Sequence, residues 1–442
     1  MAYSLFGFGN REDLFPSSDL TIAARDSRGN SIEFPIGDNI QNGNTLVVGT
    51  TRTGKTCFLK NMVSELRKAY PNDLFVLMDV KQDYLHDAKI YKTGDYIVSH
   101  GSMGDGYNYF QWSLIEEALL SGDPYAELKE IVSLLFENLP EQGQNQIFVE
   151  GARLIFTAYL NVFIYALAKS GKRFQVGDIP SNHYIISKYN TMSFEEKRNW
   201  IKSMPSQSNL CDELLPTDKN GNPTKYAESV MSIIRVFVEL FEGNFCGKGI
   251  NSIRGFLAGK GSAMFLEFDY NKQRCSSAFF QLFLKKMIQL KMSINSLCRE
   301  KNLYLILDES MVVDGDFDLV NALNIGAGCG LRIIVACQSI DHLYMQVKRD
   351  LNEHYGSATV AGFSNVICFR PNDGNTIHAI QEKFGKADIE RVVMSIDRYQ
   401  AAQVTVTNDY IVGSNQLSSL GVGDAYVKIK DAKPVRIHFE EA

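Results

Sequence analysis

The sequence predicts an α/β fold whose parallel-rich sheet is split, along the chain, by an inserted all-α domain. Short apolar strands alternate with helices near the N-terminus and again after about residue 251. Between these regions, helical periodicity dominates and strand-like runs are nearly absent. With 442 residues, of which 45% are hydrophobic, the chain is long enough for a large core. We therefore expect an α/β domain formed by 1–111 and 251–442, with 112–250 as the helical insert.

The first α/β segment contains four predicted elements. Alternating runs around Arg28-Gly29-Asn30 predict a hairpin over Asp19–Pro35. A short apolar strand follows at Thr45–Val48, then a loop rich in glycine and threonine and a helix ending near Tyr70. Leu74–Asp79 has the composition of a second buried strand.

The remaining elements follow from the same periodicities. In the insert we predict helices at Leu114–Leu120, Glu127–Asn138, Gln146–Ala168, Ser193–Met204 and Ala227–Phe241. After it we predict strands at Ala263–Asp269, Leu303–Asp308, Arg332–Cys337 and Val366–Arg370, and strand alternation over Asp424–Phe439. The longest helix in this last segment is predicted at about Ser276–Leu297.

The net charge of −6, from 45 basic and 51 acidic residues, argues against a protein coated in nucleic acid. The charge is unevenly distributed. Segment 253–302 has nine Lys and Arg against three acids, a net +6, whereas 112–145 has seven acids against one Lys, a net −6. The basic segment is interpreted either as a footprint for DNA phosphates or as a solvated helix face. The acidic one suits a basic protein partner or a solubilising face.

The compartment is predicted from cysteine use and hydropathy. The eight cysteines are scattered, with no CxxC pair and no zinc spacing, as expected for reduced thiols in a cytoplasm. The longest apolar stretch, Leu154–Ala168, is too short for a spanning helix and is interpreted as a buried helix. The N-terminal residues lack the pattern of a signal peptide. We therefore expect a soluble protein.

A phosphate-binding loop is predicted directly after the strand Thr45–Val48. Gly49-Thr50-Thr51-Arg52-Thr53-Gly54-Lys55-Thr56 matches G-x-x-x-x-G-K-[ST] in full, with a helix after it. Backbone N–H groups and the helix N-terminus would face phosphate oxygens, Lys55 would reach the β- and γ-phosphates, and Thr56 would bind Mg²⁺. The predicted nucleotide-binding residues are Gly49, Thr50, Thr51, Arg52, Thr53, Gly54, Lys55, Thr56 and Cys57.

Two carboxylates end the apolar strand Leu303–Asp308. In open α/β sheets the carboxyl end of a strand faces the ligand crevice. We predict that Asp308 holds Mg²⁺ through water and that Glu309 orients and activates the attacking water. Asp79 and Asp269 also end predicted strands and are weaker candidates. Solvated acids at a strand end remain the simpler alternative.

Gln338 follows the next predicted strand, Arg332–Cys337. A polar residue on the strand beside the acidic one often senses the γ-phosphate in multistrand P-loop ATPases. Gln338 is therefore a candidate catalytic residue alongside Lys55 and Glu309. A simple strand-capping amide is the alternative.

Taken together, these residues resemble the conjugative coupling proteins of type IV secretion (TraG/TraD type), in the FtsK/HerA branch of P-loop motor ATPases. The resemblance runs from about Thr45 to the C-terminus. Its segments are Asp79-Val80-Lys81-Gln82-Asp83, Tyr107-Asn108, Phe148–Arg153, Asp308-Glu309, Gly330-Leu331-Arg332, Gln338-Ser339, Tyr355-Gly356, Asn365, Asp373, Gly385, Gly423-Asp424-Ala425 and Lys433-Pro434-Val435.

The resemblance implies a RecA-like P-loop domain that hydrolyses ATP with Mg²⁺. It further implies a ring, expected to be a hexamer, with DNA in a central channel and a helical insert that reads a relaxase or other secreted protein. Family members usually begin with transmembrane helices, which are not evident here. We therefore expect a cytoplasmic protein that reaches the inner face of the cell membrane only through a partner protein.

A second departure concerns an arginine that family members tend to carry just before the glycine matching Gly330, reaching a neighbour's nucleotide. Here the preceding stretch is Gly326-Ala327-Gly328-Cys329, without arginine. Arg332, Arg370 and Arg274 are the possible substitutes, and a surface salt bridge is the alternative role for each.

Two other functions stay open on the sequence. One is a related motor for protein secretion or pilus assembly without a DNA channel. The other is a nucleotide-gated scaffold with negligible hydrolysis.

Overall fold

The structure, a computed structural model, describes residues 15–99, 107–137, 146–170, 179–242, 251–268, 273–293, 300–309, 317–341, 343, 358–393 and 403–440. Contacts within the chain divide it into two units. The first unit consists of Met1–Lys92, Arg299–Met311 and Asp318–Ala442, and the second of Thr93–Cys298 and Val312–Phe317. The predicted insert 112–250 lies within the second unit, which extends beyond it on both sides.

In chain order, the strands of the described residues are β1 Thr21–Asp26, β2 Ser31–Pro35, β3 Thr45–Val48, β4 Leu74–Met78, β5 Tyr96–Ser99, β6 Ala263–Glu267, β7 Leu303–Asp308, β8 Leu331–Cys337, β9 Asn365–Cys368, β10 Lys386–Val393, β11 Gln403–Tyr410, β12 Asp424–Ile429 and β13 Val435–His438.

The helices of the described residues, also in chain order, are α1 Asp38–Gln41, α2 Lys55–Ala69, α3 Leu114–Leu119, α4 Pro124–Phe136, α5 Gln146–Lys169, α6 Asn182–Thr191, α7 Phe194–Lys202, α8 Ser208–Leu214, α9 Lys225–Glu242, α10 Ile253–Ala258, α11 Gln273–Met292, α12 Leu319–Ile325, α13 Gly374–Phe384 and α14 Ser414–Ser418.

The first unit is built on a sheet whose strands lie in the order β2-β1-β13-β12-β9-β3-β8-β7-β4. The five strands β9, β3, β8, β7 and β4 are parallel, and the other four pair antiparallel at one side. A separate antiparallel hairpin, β10–β11, belongs to the same unit. The predicted α/β class with a parallel-rich sheet is therefore confirmed, and so is the hairpin over Asp19–Pro35.

Burial explains why these strands are continuous apolar runs. Every residue of β3, β4, β7, β8 and β9 is buried, as expected for parallel strands covered on both faces. The helix α2 buries one face against this unit through Phe58, Leu59 and Met62. The ring of Phe58 lies 4.5 Å from that of Phe439, centroid to centroid, which links α2 to the C-terminal strands.

The second unit combines the parallel pair β5–β6 with helices α3 to α11. Its longest helix, α5, packs against α4 and α9. In the part of the chain that the structure describes, α5 is the helix long and apolar enough to cross a membrane, with a mean hydropathy of 1.5. Since 72% of this apolar window is buried within the protein, the helix has the pattern of a core helix.

Three cations of the basic segment pair with acids of the acidic segment inside the second unit. Lys286 is 2% exposed and pairs with Glu127 at 2.5 Å, while Arg254 pairs with the same carboxylate at 2.8 Å and with the buried Glu117. Lys285 pairs with a further acid, Glu137. Buried charges need such partners. Arg254 and Lys286 therefore serve packing within the unit, which leaves fewer cations of segment 253–302 to contact DNA phosphates.

Glu116 makes the stability of the second unit depend on pH. Burial and the adjacent Glu117 raise the pKa of Glu116 to about 7, and its buried Oε2 has no hydrogen-bond partner among the described residues. The folded state thus holds this proton more tightly than the unfolded chain does. The stabilisation is complete below the unfolded pKa and is lost as pH rises through about 7.

We expect Glu116→Gln to raise the melting temperature at pH 8 by several degrees and to flatten its fall between pH 5 and 8. Thermal unfolding against pH measures this effect. The matched control is Glu195→Gln, an exposed acid in the first turn of α7, which should leave the profile unchanged. An unchanged profile for Glu116→Gln would show that the Glu116 proton is not coupled to folding.

Candidate active site

The loop Gly49–Thr56 connects β3 to α2 and requires glycine at two positions. Gly54 precedes the first residue of α2 with φ 110°, in the left-handed region. Gly49 has φ 155°, and a Cβ there would lie 2.7 Å from the Cβ of Phe369. A side chain at either position would therefore distort the loop.

Neighbouring strands fix this loop through its backbone. The Thr50 N–H donates to the Arg370 carbonyl at 2.9 Å, just beyond β9. The Gly423 N–H, just before β12, donates to the Thr53 carbonyl at 3.0 Å. Within the loop, the Thr53 hydroxyl donates to the Thr50 carbonyl at 2.7 Å. The loop is thus held from two sides before any ligand binds.

Lys55 is folded onto this loop. Its Nζ donates to the carbonyl oxygens of Gly49 at 2.5 Å and Thr50 at 2.7 Å. Burial lowers the pKa of Lys55, and the Asp308 carboxylate opposes that effect. The ammonium has hydrogen-bond partners but no carboxylate paired with it among the described residues, so it is ready for an incoming anion.

Asp308 is the centre of a small buried network at the end of β7. Its Oδ2 accepts hydrogen bonds from the Tyr84 hydroxyl at 2.9 Å and from the Thr56 hydroxyl at 3.3 Å. Burial raises the pKa of Asp308, and the hydrogen bond from Tyr84 partly offsets the rise. The structure thus brings the predicted Mg²⁺ residues Thr56 and Asp308 together, with Tyr84 orienting the carboxylate.

Glu309 lies beside this network and forms an ion pair with Lys81. Its backbone has φ 58°, an uncommon conformation for a residue with a side chain. The hydrogen bond from Lys81 to Glu309 raises the pKa of Lys81. Lys81 follows β4, so the ion pair ties the ends of two adjacent strands together.

Asp79 has a different role from Asp308. Its carboxylate accepts the backbone N–H groups of Tyr84, at 3.1 Å, and Leu85, at 2.7 Å. It therefore caps the turn that carries Tyr84, and its oxygens are used for backbone bonding. Asp269, the other weaker candidate named from the sequence, lies outside the described residues. The segment Tyr355-Gly356, which carries part of the resemblance, also lies outside them.

Gln338 lies at the same edge of the sheet. The strand β8 runs between β3 and β7, with Cys337 paired to Val48 and Ala336 to Asp308. Gln338 therefore begins the loop that is flanked by the phosphate-binding loop and the acidic strand end. It is half-buried.

The arginine candidates differ in their environments. Arg332 is 7% exposed at the opposite end of β8, where it donates to Asp38 Oδ2 at 3.2 Å and to the Ala327 carbonyl at 2.9 Å. This option is wrong, because the guanidinium is buried and engaged within its own unit. Arg370 is exposed just beyond β9. The side chain of Arg274 lies outside the described residues.

The donor set at Thr56 and Asp308 fits Mg²⁺. A hydroxyl and a carboxylate are the hard oxygen ligands that this ion prefers, and Mg²⁺ in nucleotide sites takes its other ligands from phosphates and water. Clusters of three or more His, Cys, Asp or Glu side chains, which would indicate a site built from protein ligands alone, are not found in the described ranges. The site therefore suits an ion that arrives with a phosphate ligand.

Sequence reasoning did not assign a role at this site to Tyr84, Phe369 or Gly423. Tyr84 and Phe369 were not singled out, and Gly423 was named only within the segment Gly423-Asp424-Ala425 that carries the resemblance. Tyr84 reaches Asp308 only because Asp79 folds the turn after β4. The positive φ of Gly423 and its contact with the loop are visible only in the folded sheet.

The sheet order and the loop between β3 and α2 place the first unit in the class of RecA-like P-loop nucleotide-binding folds. More specifically, the chain belongs to the family described as the type IV secretion-system coupling protein DNA-binding domain, whose model matches residues 30–436. Comparison with curated proteins gave no match.

Solved structures agree on the fold. The unbound monoclinic form of the bacterial conjugative coupling protein TrwBΔN70 is similar with a TM-score of 0.68 and 16% identity, over 91% of this chain and 86% of that one. Plasmid coupling protein TrwB in complex with ADP and Mg²⁺ is similar with a TM-score of 0.67 and 17% identity, over 92% of this chain and 87% of that one. VirB4 of Thermoanaerobacter pseudethanolicus is similar with a TM-score of 0.54 and 10% identity, over 97% of this chain and 98% of that one.

Proposed function

We propose that this chain is the ATP-hydrolysing motor of a conjugative coupling protein, which moves DNA or a relaxase–DNA complex toward a type IV secretion channel. The observation that carries the proposal is the placement of Lys55, Thr56, Asp308 and Glu309 at one edge of the sheet. Membership of the coupling-protein family supports the assignment of DNA as cargo.

Each of these residues has a distinct part in the proposed reaction. Lys55 leaves the carbonyls of Gly49 and Thr50 and pairs with the terminal phosphates of ATP. Thr56 and Asp308 would hold Mg²⁺, which neutralises phosphate charge when bound. Glu309 orients the attacking water and accepts its proton, while Lys81 holds the carboxylate in position. Gln338 faces the γ-phosphate.

The larger assembly is part of the same proposal. We expect a hexameric ring in which the helical insert of the second unit contacts the secreted protein. Arg370, exposed at the sheet edge that carries the phosphate-binding loop, is the remaining described candidate for contact with a neighbour's nucleotide. We place the protein in the cytoplasm, with membrane docking through a partner protein.

DNA translocation is tested by displacement of a triplex-forming strand from duplex DNA by the full chain with ATP. Displacement should require hydrolysis, so Glu309→Gln should bind the DNA without displacing the strand. Light scattering on the same sample measures the mass of the assembly and so distinguishes a hexamer from a monomer. A monomer that hydrolyses ATP and never displaces the strand would contradict the proposal.

The second candidate is a sibling motor that moves protein or assembles a pilus without a DNA channel. The ion pairs formed by Arg254, Lys285 and Lys286 favour it, because they remove three cations from the segment offered as a DNA footprint. Hydrolysis that is stimulated by a protein partner, and is unaffected by DNA, would support this candidate instead.

Tyr84→Phe should weaken Mg²⁺ binding, so that hydrolysis needs a higher Mg²⁺ concentration, without abolishing nucleotide binding. The change removes the one hydroxyl that donates to Asp308 from a fully buried position. Losing such an outer partner typically costs about 10- to 100-fold in metal affinity or activity. A titration of ATPase rate against Mg²⁺ measures the shift, with Tyr91→Phe, a half-buried tyrosine of the same unit, as the control. Identical Mg²⁺ curves for Tyr84→Phe and the wild type would refute this positioning role.

Lys81→Gln should lower kcat about tenfold and leave the KM for ATP unchanged, because Lys81 contacts Glu309 rather than the phosphate-binding loop. Lys81→Arg should restore most of the rate, since arginine also pairs with a carboxylate. Steady-state kinetics at several ATP concentrations separates the two parameters. A rise in KM with constant kcat would instead assign Lys81 to ATP binding.

A further inference from the structure

A cavity of about 660 Å³ lies in the second unit, in the range of small-ligand sites. One wall is a single face of α9, since Glu228, Met231, Ser232 and Arg235 are spaced three, four and seven residues along the helix. The opposite wall comes from the end of α6 and the start of α7.

The apolar part of the cavity comes from Tyr189, Phe194 and Met231. Tyr189 is 3% exposed and its hydroxyl lies 3.5 Å from the sulfur of Met231, so it joins the two walls. Phe194 is half-buried at the first position of α7. These side chains form a surface for an apolar or aromatic body.

Lys197 supplies the charge in this cavity. Its Nζ donates to the Met192 carbonyl at 2.7 Å and lies 4.6 Å from the centre of the Tyr189 ring. Across the described residues, Lys197 forms no ion pair with a carboxylate within 4 Å. Burial lowers the pKa of Lys197, and Arg235, which lines the same cavity, lowers it further. The described lining residues thus include two cations, Lys197 and Arg235, and one carboxylate, Glu228.

The charges that line the cavity favour a singly charged anion. An ammonium has three N–H donors. Lys197 donates one of them to the Met192 carbonyl, so at most two remain for a ligand. A carboxylate accepts such charge-assisted hydrogen bonds. Glu228 on the wall also disfavours a dianion.

We propose that this cavity binds a carboxylate attached to an apolar body, with Lys197 contacting the carboxylate and Phe194 and Met231 contacting the body, while the buried Tyr189 supports Lys197. The chemistry is the same whether the carboxylate belongs to a free organic acid or to a peptide. The proposal goes beyond the motor function and does not depend on it, because every residue involved lies in the second unit.

Calorimetric titration of the full chain, without nucleotide or DNA, tests the proposal. The probes are 3-phenylpropionate and N-acetyl-Phe-Leu with a free C-terminus, each compared with its neutral amide. We expect at least one acid to bind about tenfold or more tightly than its amide, since a charge-assisted hydrogen bond is lost in the amide. Binding by both acids indicates a site for any apolar carboxylate, and binding by the dipeptide alone indicates a peptide site.

Variants locate the binding to this cavity. Lys197→Met keeps the apolar part of the side chain and should lower the affinity for the acid about tenfold. Lys197→Arg should keep the wild-type affinity. The matched control is Lys219→Met, an exposed lysine of the same unit, which should bind as the wild type does. Unfolding curves confirm that each variant folds, and the comparison of acid with amide needs no variant at all.

Four results would overturn the proposal. They are equal affinity for acid and amide, absence of binding by both acids, full affinity in Lys197→Met, and displacement of the acid by inorganic phosphate or an oligonucleotide at lower concentration. Nucleotide binding measured on the same samples reports the first unit separately, so failure of this proposal is distinguishable from failure of the motor assignment.

Discussion

Lys55→Ala should weaken ATP binding at least about tenfold and reduce hydrolysis about 10²- to 10³-fold. The reason is that Lys55 is the buried cation of the phosphate-binding loop, and hydrogen bonds to charged groups contribute about 1.5–3 kcal/mol each. Calorimetric titration with ATP and a phosphate-release assay measure the two effects.

The matched control for this change is Lys68→Ala, which removes an exposed lysine from the last turn of the same helix. Its ATP affinity should equal that of the wild type. Because Lys55 is a desolvated charge without an ion-pair partner among the described residues, its removal should not lower the melting temperature. Unchanged ATP affinity in Lys55→Ala would refute the phosphate-loop assignment.

Glu309→Gln should retain ATP binding and lose turnover by about 10²- to 10⁴-fold. The amide has the shape of the carboxylate but cannot accept a proton from the attacking water, and general bases contribute on this scale. The change also removes the ion pair between Glu309 and Lys81. Because the Lys81 side chain is more than half exposed, this ion pair adds little to the stability of the fold. Single-turnover phosphate release with saturating Mg²⁺ and ATP measures the loss.

Glu65→Gln is the control for this prediction, since Glu65 is an acid of the same unit whose i,i+3 pair with Lys68 is exposed. It should turn over ATP at the wild-type rate. Equal turnover in Glu309→Gln and the wild type would remove Glu309 from the catalytic role. Normal ATP binding with no turnover in the wild type itself would support the nucleotide-gated scaffold.

The sequence predicted the sheet well where local pattern determines the structure. Thr45–Val48 and Leu303–Asp308 were predicted at their observed bounds, because buried parallel strands are short apolar runs between loops. The positions of Lys55, Asp308 and Glu309 at one edge follow from the rule that parallel strands end together.

Contacts between residues far apart in the chain could not be predicted from the sequence. The role of Tyr84 depends on a turn capped by Asp79, and nothing in the spacing indicates which of several tyrosines reaches Asp308. The hairpin β10–β11 was not predicted either. Charge counts along 253–302 and 112–145 suggested separate surfaces, whereas Lys286 and Arg254 pair with Glu127 across the two segments.

Arg332 illustrates a more specific limit. It lies in a segment that resembles the coupling-protein family, yet it is the second residue of β8 and therefore lies at the end of the strand opposite Gln338. The predicted strand Arg332–Cys337 already placed Arg332 and Gln338 at opposite ends, but the sequence does not show the ion pair that engages Arg332. Asp38, which pairs with it, is 294 residues away in the chain.

Steady-state phosphate release by the full chain, measured with saturating Mg²⁺ and ATP in the presence and absence of single- and double-stranded DNA, tests the central claim most directly. We predict hydrolysis by the wild type that DNA stimulates and that Glu309→Gln abolishes under both conditions. Hydrolysis by a monomer that neither form of DNA alters would contradict the assignment of this chain as a DNA motor.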